Sequence, residues 1–354
     1  MMRTKLLVGL ATFSVALAIP WWTIPRDSAP TPAAVSAAGS TAGHDTAPAT
    51  SDGTSGTTHS SDAPMDWKAM DKAMAKRDKS FPAKTSGKGA KPLVPKVLAD
   101  GTKQFTLTAK NIKWEVEPGK IVDAMAYNGQ VPGPAIRVDV GDKVQVVLKN
   151  ELKESTVIHW HGIPIANKMD GVANVTQDPV PPGKTFTYTI DASRQSVGWF
   201  HSHHDGVKQV TSGLWGTFQI GDLPLPGHVK PDKEIPFSLQ DSGTIGLTFN
   251  GKAFPATEPV KLKKGQSLLV HYYNAGSMAH PMHLHGLDQL VVAKDGFPLK
   301  DPYKADTINV APGERYSVLI KADQLGTWSW HCHILSHSES AQGMTGMFTE
   351  LIVT

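Results

Sequence analysis

The sequence predicts an all-β protein built from two tandem sandwich or barrel domains. Short runs rich in β-branched and aromatic residues recur at close spacing, and Pro-Gly, Asn-Gly and Gly-Asp turns separate them. From about residue 97 onward, no long stretch holds a helical period. The same series of landmarks then occurs twice along the chain. Strand runs with turn signals between them, and no long helices to cover a parallel sheet, point to a sandwich or barrel.

Taken in order, the chain opens with Arg3 and Lys5 before an apolar run from Leu6 to Ile19. Ala16-Leu-Ala18 offers a small-x-small cleavage site, so residues 1–26 read as an export signal. Apolar character resumes at Trp21-Trp22, which leaves an uncleaved membrane anchor as the alternative; Pro20 and the short length count against a spanning helix. Residues 27–96 are expected to be a disordered linker, because 27–64 are almost entirely Ala, Ser, Thr, Gly, Pro and Asp. Within it, Trp67, Met70 and Met74 fall near one face of a short helix over 65–79, expected to dock on its own protein or on a neighbouring subunit.

Strands are expected over 104–109, 114–118, 135–140, 143–150, 184–190 and 214–220. A Pro/Gly-rich connection over 221–231 leads to a second strand-rich block, so the domains are placed at 97–225 and 226–354. A chain of 354 residues with 40% hydrophobic residues can form two cores. Its net charge of +3 is too small to argue for a nucleic-acid partner. Its single cysteine excludes an intramolecular disulfide.

The two blocks repeat each other. Asn128-Gly129, Val138-Asp-Val-Gly141 and His159-Trp-His161 in the first correspond to Asn250-Gly251, Val260 to Gly265 and His283-Leu-His285 in the second. Pro182-Gly183 precedes His201-Ser-His203 by the interval at which Pro312-Gly313 precedes His331-Cys-His333. The reading is a duplicated domain of about 120 residues. One difference is informative. The second block has His280, Cys332 and His337 where the first has Thr156, Ser202 and Val207.

These residues define two kinds of metal site. In a strand, neighbouring side chains point to opposite faces, so Cys332 serves one site while His331 and His333 serve another. One thiolate, two imidazoles and a weak thioether make an electron-transfer copper site, with Cys332, His280 and His337 as strong ligands and Met344 as the axial one. Zinc is the weaker alternative. The eight remaining paired histidines (His159, His161, His201, His203, His283, His285, His331, His333) are too many for one ion and suit three coppers between unlike domains. Four coppers in all match the four electrons that turn dioxygen into water.

At this point the chain resembles the multicopper oxidases, in particular two-domain, laccase-like oxidases of bacteria. The resemblance covers about residues 97–354 and rests on His-Trp-His-Gly, His-Ser-His, His-Pro-Met-His-Leu-His-Gly and His-Cys-His-x3-His. It implies two tandem cupredoxin-like Greek-key β-sandwich domains. It implies type 1 copper at His280, Cys332 and His337, and type 2 copper at His159 and His283. One type 3 copper then takes His161, His201 and His333, and the other His203, His285 and His331. It also implies a homotrimer with each three-copper cluster between subunits, and an acid near the cluster that delivers protons. Asp170 matches that acid; read from the residues alone, it caps a turn beside Gly171. The sequence departs from the family at the axial ligand. A two-residue insertion keeps Gly343-Met-Thr-Gly346 in register, while an insertion elsewhere would bring Gln342 or Met347 to that position. Many metal-handling members carry an acid directly after the last histidine, where this chain has Ser338 and then Glu339. His204 and Asp205 do not match ligands.

The expected activity is therefore oxidation of a phenol or aromatic amine with dioxygen as acceptor. The alternative is an extracytoplasmic oxidase of cuprous or another reduced metal ion, favoured slightly by Met278, Met282 and the N-terminal methionines. Copper nitrite reductase is disfavoured by the cysteine-free first block. A periplasmic or secreted location, with a membrane tether as an alternative, follows from the leader.

Overall fold

Alternation of apolar and polar residues turns Phe105, Leu107 and Ala109 inward from strand β2 (Lys103–Glu117), and the same alternation recurs through the chain. The computed structural model describes residues 66–354; the expected leader and the 27–64 part of the linker lie outside them. Helix α1 (Trp67–Asp78) and a short strand β1 (Lys96–Val97) precede β2. The first domain continues with β3 (Lys120–Tyr127), β4 (Ile136–Val138), β5 (Lys143–Asn150), β6 (His159–His161), β7 (Thr185–Asp191), β8 (Ser196–His201), a one-turn helix α2 (Gly206–Gln209) and β9 (Trp215–Ile220). One sheet runs β1-β2-β5-β7 with β3 on β2, and the other runs β4-β9-β8-β6.

The second domain follows the same plan. Its larger sheet contains β10 (Lys233–Gln240), β11 (Thr248–Phe249), β13 (Ser267–Asn274), β15 (Gln289–Lys294), β16 (Phe297–Ala305) and β18 (Arg315–Lys321), in the order β11-β10-β13-β18-β15-β16. The facing sheet takes β12 (Val260–Leu262), β14 (His280–Leu284), β17 (Thr307–Val310), β19 (Gly326–Cys332) and β22 (Phe348–Val353), in the order β12-β22-β19-β14-β17. A hairpin of β20 (Glu339–Ser340) and β21 (Gly343–Met344) sits apart. In each domain the first long strand pairs parallel with the next one across: β2 with β5, and β10 with β13. The chain therefore folds as two cupredoxin-like β-sandwiches, as expected from the sequence.

Each sandwich has its own apolar core. The first centres on Trp160, Tyr188 and Phe218, and the second on Phe237, Tyr272 and Trp330. A third cluster joins them, with Trp114, Val131, Trp199 and Trp215 of the first domain packed on Leu269, Tyr273 and Val292 of the second. Polar links cross the same boundary. Trp114 Nε1 donates to Gly251 O at 2.7 Å, and the buried Arg315 sends Nε to Val197 O at 2.9 Å. An interface this apolar fixes the relative placement of the two histidine-bearing sheets.

One expectation needs correction. Residues 80–96 were expected to be disordered linker, yet they run along the body of the protein. Ala83 donates to Pro255 O, Ala90 to Pro132 O and Leu93 to Ala135 O, at 2.7–3.0 Å. Phe81 stacks on Phe254 with ring centroids 5.1 Å apart. A few anchors of this kind outweigh the polar composition, because each buries apolar surface or pairs a main-chain N–H with a carbonyl. The helix expected over 65–79 is present, with Met70, Ala73, Met74 and Arg77 half-buried along one stripe. Trp67 is instead 62% exposed. Among the described residues no helix is long and apolar enough to cross a membrane.

Leu269 is 2% exposed in the interdomain cluster. Leu269→Ala should lower unfolding free energy by about 2–5 kcal/mol in urea titration. Val140→Ala, at a position 51% exposed, should change it by no more than about 0.5 kcal/mol.

Candidate metal centres

The pairing of β14 with β19 builds the cysteine site. Met282 lies opposite Cys332, and His283 opposite His331. Alternation then divides the strand: Cys332 is fully buried in the second core with Met282, Trp330 and Met347, while His331 faces the other way among histidine rings. His280, at the start of β14, brings Nδ1 to 3.6 Å from Cys332 Sγ. His337, in the turn after β19, brings Nδ1 to 3.7 Å. Ligand atoms bonded at about 2.0 and 2.3 Å in a trigonal plane lie roughly 3.7 Å apart, so the donor set fits a single ion. Burial raises the Cys332 thiol to about 11, so a metal must displace its proton on binding.

Asp241 completes this site, and the sequence reading missed it. Its Oδ2 accepts from His280 Nε2 at 2.8 Å, and both side chains are fully buried. A carboxylate can only accept here, so His280 carries its proton on Nε2 and leaves Nδ1 free toward Cys332. Burial pushes the Asp241 carboxyl up, but hydrogen bonds from His280, Ser242 and the backbone N–H groups of Ser277 and Met278 outweigh it and hold the group below the usual carboxylate range. The residue closes β10, far in sequence from the histidine motifs. No motif marks it, since the run before it, Lys233 to Gln240, mixes polar and apolar residues.

Ser338 is buried and its hydroxyl donates to Cys332 O at 3.0 Å. A carboxylate at this place would be buried, which Ser338 avoids; Glu339 is exposed. Of the three axial candidates, Gln342 is exposed, Met347 is fully buried in the core, and Met344 is half-buried on β21. Gly346 allows the chain to turn back there: its φ is +51°, and a Cβ would strike His337 O.

The eight paired histidines form two groups. In the first, β6 and β8 place His159 opposite His201, and rings of His159, His161, His201 and His203 contact one another at centroid distances of 5.3–6.2 Å. In the second, His283, His285, His331 and His333 do the same at 4.7–5.7 Å. Among the described residues, no ring contact joins one group to the other. Each group reaches the surface, since His203, His285 and His333 are exposed.

Four of the eight imidazoles are presented alike. Nδ1–H of His159, His201, His283 and His331 donates to the carbonyls of Asp170, Ser202, Asp306 and Cys332 at 2.8–3.0 Å. Each Nε2 is thereby left as a lone-pair donor. Burial, reinforced by the Arg315 charge, lowers His161 to about 4, and burial lowers His201 to about 3, so both are neutral donors at neutral pH. His285 Nε2 lies 3.1 Å from His331 Nε2. His285 Nε2–H can donate to the His331 Nε2 lone pair at that distance, and the spacing is also close to the roughly 3.3 Å between nitrogens on one tetrahedral ion. Trp199 stacks on His161 at 5.1 Å and lies tilted against His201 at 4.4 Å.

Asp170 Oδ1 lies 3.3 Å from His159 Nδ1. The following Gly171 has φ +78°, and any side chain there would strike Ile158 O, so the turn holding Asp170 against β6 requires glycine. His204 is half-buried and Asp205 exposed beside the first group.

The first domain has no thiolate or imidazoles at the place matching the cysteine site. Thr156 and Ser202 both donate to Gln209 Oε1, at 2.8 and 2.6 Å, and Gln209 Nε2 donates to Ser155 O and Glu154. Sequence comparison matched Val207 to His337, but Val207 is 85% exposed, and the fully buried Gln209 fills the space. A one-turn helix, α2, swings the intervening residues outward.

With this fold and these donor sets, the chain belongs to the multicopper oxidase family. The family's multicopper oxidase domains match residues 108–224 and again 228–352. Among solved structures it is similar to the Blue Copper Oxidase from Nitrosomonas europaea, with 33% identity, 71% of this chain and 86% of that one covered, and a TM-score of 0.67. It is also similar to Multicopper oxidase mco of Staphylococcus epidermidis, 29% identical over 64% of this chain and 55% of that protein. Laccase-2 of Botryotinia fuckeliana is 28% identical over 69% of this chain and 48% of its own length. The chain thus spans about half the length of those two relatives.

Asp241→Ala should weaken copper retention at the cysteine site by about 10–100-fold, measured by chelator competition, because an imidazole without its carboxylate loses orientation.

Proposed function

We propose that the protein oxidises small reducing substrates, phenols or aromatic amines, one electron at a time, and reduces dioxygen to water at a three-copper cluster completed between subunits of a homotrimer. The observation that carries this reading is the pair of outward-opening four-histidine groups, one of them joined to the Cys332 site by a single residue of backbone. Bound copper at Cys332 would accept single electrons, and three further coppers held by the paired histidines would let four collect for one dioxygen. Residues of this chain do the rest. Cys332 and its neighbours His331 and His333 give electrons a short covalent path from one site to the other. His159 and His283 are assigned to type 2 copper, His161, His201 and His333 to one type 3 copper, and His203, His285 and His331 to the other. Each group would thus be completed by the opposite group of a neighbouring subunit. Met344 is the proposed axial ligand, its neighbour Gln342 being exposed.

Two waters from dioxygen require four protons. Asp170, half-buried beside His159, is proposed to hold a proton and pass it inward. The basic-then-apolar leader supports an extracytoplasmic setting, periplasmic or secreted, with a membrane tether as the alternative.

Oxidation of cuprous or another reduced metal ion is the second reading. Met278, 47% exposed in the loop that Asp241 holds, favours it, whereas Met282 is fully buried in the core and lends no support. Nitrite reduction is disfavoured by the hydrogen-bonded filling of the first domain.

Oxygen uptake by copper-loaded protein, with a phenol and with cuprous ion, separates the two donors; uptake with neither, despite four bound coppers, refutes the oxidase reading. Cys332→Ser should abolish the intense blue absorption and lower substrate oxidation by at least about 1,000-fold, since no other thiolate is present. Sedimentation should give a trimer; a stable, active monomer would contradict the shared cluster.

A further inference from the structure

We propose that Arg77 is a positioning residue for the type 1 copper ligands, through which the N-terminal helix holds the 338–347 loop in place. This rests on assigning Cys332, His280 and His337 to that copper. Helix α1 lies before both stretches matched by the family, so nothing in the shared fold calls for it. Its inner stripe packs on β21, where Met74 covers Gly343. A Cβ on Gly343 would come within 3.1 Å of Met74 Cα, so the close approach depends on that glycine.

Arg77 stands at the end of the stripe and gathers three segments of chain. Its Nε donates to Met344 O at 2.6 Å. Its two Nη2 hydrogens are shared among three acceptors, Phe254 O at 2.7 Å, Glu117 Oε2 at 3.0 Å and Thr345 Oγ1 at 3.2 Å. A planar guanidinium can serve several acceptors in fixed directions; a lysine ammonium is a point charge on a flexible stem and cannot reproduce that fork.

The loop it grips is otherwise anchored at its ends, where Ser338 and Met347 are buried, Cys332 N–H donates to Met347 O at 3.1 Å and Phe254 N–H to Gly346 O at 2.9 Å; Arg77 holds the stretch between them. Its hairpin contains two residues per strand, and Ala341 and Gln342 at its tip are exposed. It is tied back by Thr345 N–H to Ser338 O at 2.9 Å and Met347 N–H to His337 O at 2.8 Å. His337 immediately precedes this loop and Met344 lies within it. A shift of the loop therefore moves one strong ligand and the proposed axial ligand together, and reaches Cys332 only through the Met347 O and Ser338 Oγ contacts at the loop's ends.

The test compares full-length wild type with Arg77→Ala and Arg77→Lys. In copper-free protein, amide hydrogen exchange at Thr345 and Met347 should speed up by about tenfold or more in Arg77→Ala, with Arg77→Lys closer to Ala than to wild type. In copper-loaded protein, the blue thiolate band should shift and fade about 10–100-fold faster under chelator, while the type 2 copper resonance stays unchanged. Unchanged loop exchange together with an unchanged blue band overturns the proposal, even if the melting temperature falls. If wild type shows no blue band, the copper assignment fails and the proposal falls with it; faster loop exchange would then describe only a structural clamp.

Discussion

The two-residue alternation of a single strand, β19, governs the arrangement. Because Cys332 must point into the sandwich, its neighbours must point out of it. The buried side of the strand then provides a dry, rigid pocket for a thiolate, and the opposite side carries imidazoles toward the surface. Pairing with β14 sets His283 and Met282 on the corresponding sides, so one register supplies both sites. Any slip of that register by one residue would exchange the two faces and destroy both.

Around this strand, main-chain carbonyls and one carboxylate settle which nitrogen each imidazole offers. The four rings with carbonyl partners on Nδ1 present Nε2, and His280, with Asp241 on Nε2, presents Nδ1. The protein thus separates two kinds of histidine by what accepts their proton. The apolar seam between domains is equally important. It holds Arg315 beneath Gly162 and beside His161, which joins a second-domain cation to a first-domain histidine.

Much of this was legible in the sequence. Period-two alternation and Gly-based turns identified the sandwiches, and four His-x-His motifs at matching places in two blocks singled out the histidines that the fold gathers into two groups. What was not legible came from groups joined only by tertiary folding. Asp241 and Arg77 carry no motif, and each acts on residues far away in the chain. Gln209 shows the limit of counting positions, since a single helical turn after His203 moved the matched Val207 to the surface. The 80–96 segment shows the limit of composition, because a few ring and carbonyl contacts order a stretch that has few apolar residues.

The outward-facing histidine groups have a consequence for how defects would combine. On the proposed assembly, each reaction centre draws one half from one copy and the other half from its neighbour. A chain spoiled only in its first domain and a chain spoiled only in its second are each inert alone. Mixed in one ring, they place an intact first half against an intact second half at one junction. Inheritance of damage would then follow the junctions rather than the chains, and two broken versions could restore one another.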